Sequence, residues 1–335
     1  MTQGHLLTRR LIPSIGCMAL PLFLLMLPGI ASPQAAAASQ DRPGEEYRIR
    51  VNTNLVVLHA TVQDHKGALV SGLEKNSFHV FEDGVLQQIK YFSHEDIPVT
   101  VGLVIDNSGS MRRKRADVIA AALAFARSSN PQDQMFVVNF NEHVRFGLPD
   151  NQLFTDQAPQ LAVALSTIIT SGQTALYDAV AAALEHLKKG DRDKKVLIVI
   201  SDGGDNASRH SLAQIMAMTQ HADVIIYTIG LFDEEDEDRN PRVLRQLAEA
   251  TGGDVFLPRA LNDVVPICEQ IARDIRNQFT IAYVPANTKQ DGTYRSIQVT
   301  ASAPGRGRLL VKTRAGYRAP PPLPQPSPSA KTNYP

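Results

Sequence analysis

The sequence predicts an α/β fold: a doubly wound, mostly parallel sheet with helices on both faces, plus a small β-sandwich-like unit built from the flanking segments. Three observations lead there. Apolar, largely β-branched runs at 99–105, 135–140, 195–201 and 224–229 read as strands buried on both faces of a parallel sheet. Helix-length stretches separate them, the order of βαβ units. The residues before Val99 and after Asn277 instead show strand alternation closed by turns.

The chain of 335 residues has room for one large or two modest domains. Arg9 and Arg10 precede an apolar run from Leu11 to Leu27, and small residues follow. That is the order of a secretory signal. Pro13, Pro21 and Pro28 interrupt the run, which argues against a stable membrane-spanning helix once the signal is cleaved. Residues 1–38 are therefore read as signal peptide and leader, with export to the periplasm, the envelope or the exterior as the expectation. Residues 47–94 form the first half of the β unit. Tyr47 to Val62 is strand-like, 64–67 a turn, 73–76 a short turn, and 78–92 a hairpin with Asp83-Gly84 at its tip.

The α/β domain spans 97–277, with helices expected at 113–129, 161–169, 176–188, 211–221, 241–250 and 261–277. Ser211 or Ser208 caps the fourth. Pro241 suits the first turn of the fifth, and Gly252-Gly253 stops it. Residues 278–318 return to strands and form the second half of the β unit, and 319–335 is a Pro-rich tail read as disordered.

Asp106, Ser108 and Ser110 fall just past the first buried strand, where open α/β sheets bind ligands. An acid and two hydroxyls offer hard oxygen atoms with one formal charge, a set for Mg²⁺, Mn²⁺ or Ca²⁺ rather than Zn²⁺ or Cu. The same residues also read as a helix N-cap. Two pieces downstream, Ser171 to Ala179 and Val196 to Gly203, complete a pattern. Together the three resemble the von Willebrand factor A (vWA) domain and its metal-ion-dependent adhesion site. The family's D-x-S-x-S falls on Asp106, Ser108 and Ser110, its separate Thr on Thr174, and its later Asp on Asp202. The resemblance implies that Ser108, Ser110 and Thr174 bind a divalent ion directly, Mg²⁺ first and Mn²⁺ or Ca²⁺ as alternatives. Asp106 and Asp202 would act directly or through water. It also implies an exported, adhesion-type module whose metal engages a carboxylate of a protein partner. The flanks resemble an exported, acidobacterial-type vWA-related family at 62–67, 81–84 and 314–317.

Two other functions compete. One is a structural or assembly scaffold of an envelope complex, with the metal optional. The other is a metal-dependent hydrolase, disfavoured because no His-based zinc set, nucleophile elbow or catalytic acid pair is visible. Lys plus Arg equals Asp plus Glu at 34 each, a net charge of zero, which gives no electrostatic case for nucleic acid. Cys17 lies in the signal, so Cys268 remains alone among apolar neighbours and reads as a buried thiol. Asp205 either orders its loop or supports the site from behind. Asp178 reads as a local cap, and the acidic run 233–238 as a solvated loop or a Ca²⁺ site. Arg112 and Arg113 open a basic run that is either a solvated helix start or a steering patch for an acidic partner.

Overall fold

A computed structural model describes residues 55–167, 169–233 and 238–321. The signal and leader, the start of the first strand (47–54), acidic residues 234–237 and tail residues 322–335 lie outside the described residues.

The middle of the chain alternates β5 (Val99–Asp106), α1 (Arg115–Ser128), β6 (Gln134–Phe140), β7 (Val144–Phe146), α2 (Ala158–Ser166), α3 (Leu176–Leu187), β8 (Lys194–Ser201), α4 (Leu212–His221), β9 (Ile225–Gly230), α5 (Pro241–Thr251), β10 (Val255–Phe256) and α6 (Val264–Arg276). The strands form one six-stranded sheet in the order β10-β9-β8-β5-β6-β7. All pairs are parallel except the edge pair β6–β7. The expected doubly wound sheet is what the chain forms. Every residue of β5 is buried, because β5 is central and packed by helices on both faces. At Gly102 a Cβ would sit 2.5 Å from the Phe136 ring and 2.6 Å from Leu197, so the two neighbouring strands fill the space a side chain would need.

Helix ends follow local chemistry. Asn240 caps α5 by accepting from Val243 N, Pro241 occupies its first turn, and Gly252 at φ +82° ends it. Ser211 caps α4 in a reciprocal box with Gln214. The first helix starts two residues later than its composition suggests, because Gly109–Met111 form a 3-10 turn and Lys114 is drawn inside.

The flanks contribute β1 (Val56–Gln63), β2 (Phe78–Glu82), β3 (Val85–Gln87) and β4 (Ile89–Ser93), then β11 (Phe279–Tyr283), β12 (Tyr294–Ala301), β13 (Leu310–Lys312) and β14 (Gly316–Arg318). They form two four-stranded sheets, β13-β1-β11-β4 and β14-β12-β2-β3. Each sheet mixes strands from both flanks: β1 pairs with β11 and β13, β4 with β11, and β2 with β12. Leu58, Phe78, Val80, Phe279, Ile281 and Tyr283 share a core between the sheets. The β2–β3 turn holds Asp83 at φ 49° and Gly84 at φ 79°, the left-handed pair a two-residue hairpin requires. Packing continues past 318, where the tail was expected to begin. Ala319 is buried and donates its N–H to Thr293 O, and Pro320 O accepts from Gly292 N.

Where the two units meet, the contacts are polar. Gln278 Nε2 donates to Thr61 Oγ1 and to the buried Tyr227 hydroxyl (3.1 and 3.2 Å). Lys312 Nζ pairs with Asp254 at 2.5 Å, and Arg314 with Asp223 at 3.3 Å.

Candidate metal centre

Register sets the site. Ile105 faces Asn139 of β6 on one side and Ile200 of β8 on the other, so three parallel strands end level and release their loops at one edge. Asp106 ends β5 and the loop after it carries Ser108 and Ser110, while the loop after β8 carries Asp202. Asp106 Oδ1 accepts from Ser108 N (2.8 Å), folding its own loop into a tight turn. Asp106 Oδ2 accepts from Ser201 Oγ at 2.6 Å. Ser110 Oγ donates to Asp202 Oδ2 at 2.5 Å, the Ser108 and Ser110 hydroxyls are 3.1 Å apart, and Asp202 Oδ1 accepts from Gly204 N at 3.0 Å.

Thr174 reaches this edge through backbone. Gly109 N donates to Gly172 O, Thr174 N to Asn206 Oδ1, and the N–H groups of Asn206 and Ala207 both donate to Thr174 O. The 171–174 loop is thereby stitched to the loops after β5 and β8. Among the described residues the Thr174 hydroxyl has no hydrogen-bond partner, and the residue is 7% exposed. Gly172 makes the approach feasible through its φ of +84°, a left-handed conformation that a residue with a side chain rarely adopts.

Asp106 and Asp202 are 3% and 2% exposed, and among the described residues neither has a basic side chain within ion-pair distance. Burial first, and the neighbouring Asp202 second, push Asp106 up to about 7, against the opposing hydrogen bonds from Ser201 and Ser108. Two adjacent buried acids without a cation, beside two or three hydroxyls, suit a hard divalent ion. The described residues hold no grouping of three or more His, Cys, Asp or Glu suited to a metal, so hydroxyls would have to complete the coordination.

The remaining sequence candidates fall elsewhere. Asp205 accepts from Tyr177 N (3.1 Å) and Ser208 Oγ (2.5 Å); it caps the start of α3. Asp178 accepts from the backbone of Arg209 and His210 and from His210 Nδ1. The basic run divides: Arg112 and Arg113 are exposed, with Arg112 Nε donating to Thr170 O. Lys114 is buried, bonding Leu231 O at 2.9 Å and Asp233 at 3.1 Å. Arg115 reaches Asn107 Oδ1 at 2.6 Å and Thr170 Oγ1 at 2.9 Å. Of the acidic run, Asp233 thus pairs with Lys114, and Asp238 accepts from Asn206 Nδ2. The Cys268 thiol is buried and pushed up to about 12 by that burial. Asn206, which with Asp205 extends the last motif piece in the sequence, ties that loop to Thr174; two further residues that orient the site, Ser201 and Asn107, had no such role in the sequence reading. Their one signal is a small polar residue at the end of a buried strand or in the loop after it.

A family model described as the von Willebrand factor type A domain matches residues 100–267, from β5 into the first turn of α6. No curated protein matches the chain. Among solved structures the chain is similar to a von Willebrand factor type A protein from Catenulispora acidiphila, at 15% identity over 81% of this chain and 75% of that one, with a TM-score of 0.49. It is similar to the vWF domain of a type V pilus tip protein from Porphyromonas gingivalis (14%, covering 54% and 95%, TM-score 0.45). A manganese-loaded TRAP protein from Plasmodium vivax is similar at 14%, covering 69% and 98%, with a TM-score of 0.41.

Proposed function

The chain belongs to the von Willebrand factor type A domain family, and from that premise we propose that it is an exported, metal-dependent protein-binding module of the adhesion type. The observation that carries the reading is the hydrogen bond from Ser110 Oγ to Asp202 Oδ2 at 2.5 Å. It joins two motif pieces 92 residues apart at the edge where Thr174 is also anchored. Ser108, Ser110 and Thr174 would hold the ion through their hydroxyls, with Asp106 and Asp202 supplying the negative charge. Mg²⁺ is the first choice, with Mn²⁺ or Ca²⁺ as alternatives. A divalent ion held mainly by neutral oxygens keeps an open position for a carboxylate of the partner. Ser201 and the Ser108 N–H orient the Asp106 carboxyl for this role. Exposed Arg112 and Arg113, next in the chain to the Asp-x-Ser-x-Ser turn, would steer an acidic partner toward it.

Each of the four carboxyl oxygens of Asp106 and Asp202 accepts one hydrogen bond from the protein itself, which fixes both acids and leaves each oxygen a further lone pair for an ion. Calorimetric titration with Mg²⁺, Mn²⁺ and Ca²⁺ tests the proposal. Saturable binding that is lost in Asp106→Ala is expected, and affinity unchanged by that substitution would refute the assignment.

A further inference from the structure

A cavity of about 550 Å³ opens where β1 begins and β11 ends, within the size range of small-molecule sites. The charged residues lining it are Lys289, Arg295, Arg314 and Arg318, all basic; among the described residues no acid lines it. Val284, Pro285 and the Tyr317 ring supply apolar wall.

Behind the lining, two of these arginines are held in a buried polar network. Glu82, 2% exposed, accepts from the Tyr283 hydroxyl at 2.8 Å and the Tyr317 hydroxyl at 3.0 Å. Arg295, also 2% exposed, directs one terminal nitrogen to Glu82 and Asn287 O and the other to Lys289 O and Asp291. Arg314 spends its terminal nitrogens on Val57 O (2.8 Å) and Asp223 (3.3 Å), with its guanidinium 5.7 Å from the Tyr317 ring centre. Among the described residues the Nε–H of both arginines is buried and has no acceptor. Buried donors of this kind are rare and call for an explanation. Here two of them belong to guanidinium groups that line one cavity.

We propose that this cavity binds a small organic anion, its carboxylate or phosphate head drawn to the guanidinium groups of Arg295 and Arg314. Guanidinium donors match planar oxyanions and make charge-assisted hydrogen bonds. The apolar wall receives the body of the ligand, and Arg318, exposed at the rim, adds attraction. The residues concerned come from both flanks, so the site exists only in the assembled sandwich. It shares no residue with the metal centre.

Titration of the full chain with benzoate and with inorganic phosphate tests this, followed by calorimetry or NMR. The protein is first stripped with EDTA, which is then removed by exhaustive dialysis into metal-free buffer, so that no cation at Asp106 captures the probe and no chelator competes for the cavity. Saturable binding is expected, weakened about ten-fold in Arg314→Gln, the loss for one charge-assisted hydrogen bond. Tighter binding of benzoate assigns a carboxylate with an apolar body; tighter binding of phosphate assigns a phosphate head. The proposal is overturned if neither probe saturates, or if Arg314→Gln binds as the wild type does. Should Arg314→Gln fail to fold, Arg318→Gln at the exposed rim carries the same test, and unchanged affinity there overturns the proposal equally.

Discussion

Ser201 Oγ donates to Asp106 Oδ2 across 2.6 Å, joining the last residues of β8 and β5 beneath the candidate metal centre. The hydroxyl leaves Asp106 one orientation. Ser201→Ala is expected to weaken Mg²⁺ binding about ten- to hundred-fold by calorimetry, the range for residues that orient metal ligands. The fold should lose only about 1 kcal/mol in urea.

Thr174 separates binding from stability. Its backbone is held by Asn206 and Ala207, but among the described residues its hydroxyl takes no hydrogen bond. Thr174→Ala should therefore lower the stability of the metal-free protein by only about 1 kcal/mol, the loss of one buried methyl group, while Mg²⁺ affinity falls. Thr174→Ala with unaltered affinity would remove this residue from the site.

A buried lysine sets a pH dependence at the opposite end of the sheet. Lys194 opens β8, is 3% exposed and donates Nζ–H to Ile275 O. Burial pulls it down to about 7, with Asp96 and Asp133 opposing. Between about pH 7 and 10.5 the unfolded chain holds the proton and the folded chain does not, so this group makes stability rise with pH across that window. Its penalty is complete below pH 7. Lys194→Met should abolish that rise in urea titrations at pH 7 to 10; an unchanged slope would exclude the lysine as its origin.

The Glu82–Arg295 pair tests the sandwich. Their side chains are 1% and 2% exposed. Glu82→Ala leaves the Arg295 charge uncompensated in the interior and two tyrosine hydroxyls without their acceptor. A loss of about 3–5 kcal/mol is expected in denaturant unfolding.

The mixed sheets predict the behaviour of a truncated chain. A polypeptide ending at Asn277 retains β1 to β4 without β11 to β14, exposing Leu58, Phe78 and Val80. Limited trypsin digestion should then cut rapidly at Lys90, which in the full chain lies in β4 within its ladder to β11. Equal protection in both would show that the first flank holds its structure alone.

The parts of the fold legible in the sequence are those whose causes are local or periodic. Val99 to Ile105 reads as a central strand because both of its faces must be apolar, and α5 has its start and stop at Asn240, Pro241 and Gly252. Asp106, Ser108 and Ser110 are close in the chain, so their grouping is legible too. Ser201 is not, because a serine ending an apolar strand has no distinguishing neighbour and its acceptor lies 95 residues earlier. Lys114 misleads for the same reason. Within four consecutive basic residues it reads as solvated, yet it bonds Leu231, 117 residues on. The flanks can be matched by their alternation, but which strand pairs with which depends on register across the whole α/β domain. The basic cavity, assembled from that pairing, has no sequence signature.

Ser93 of β4 faces Thr280 of β11 across an antiparallel ladder. In topological terms, everything from residue 94 to 278 therefore occupies the place of a hairpin loop between two adjacent strands. The chain leaves the sandwich and returns to it at neighbouring points of one sheet, so the closure cost depends on that short gap and hardly on what fills it. Exchanging the whole inserted unit for another with closely spaced ends would be a substitution of one loop for another, with the β scaffold retained.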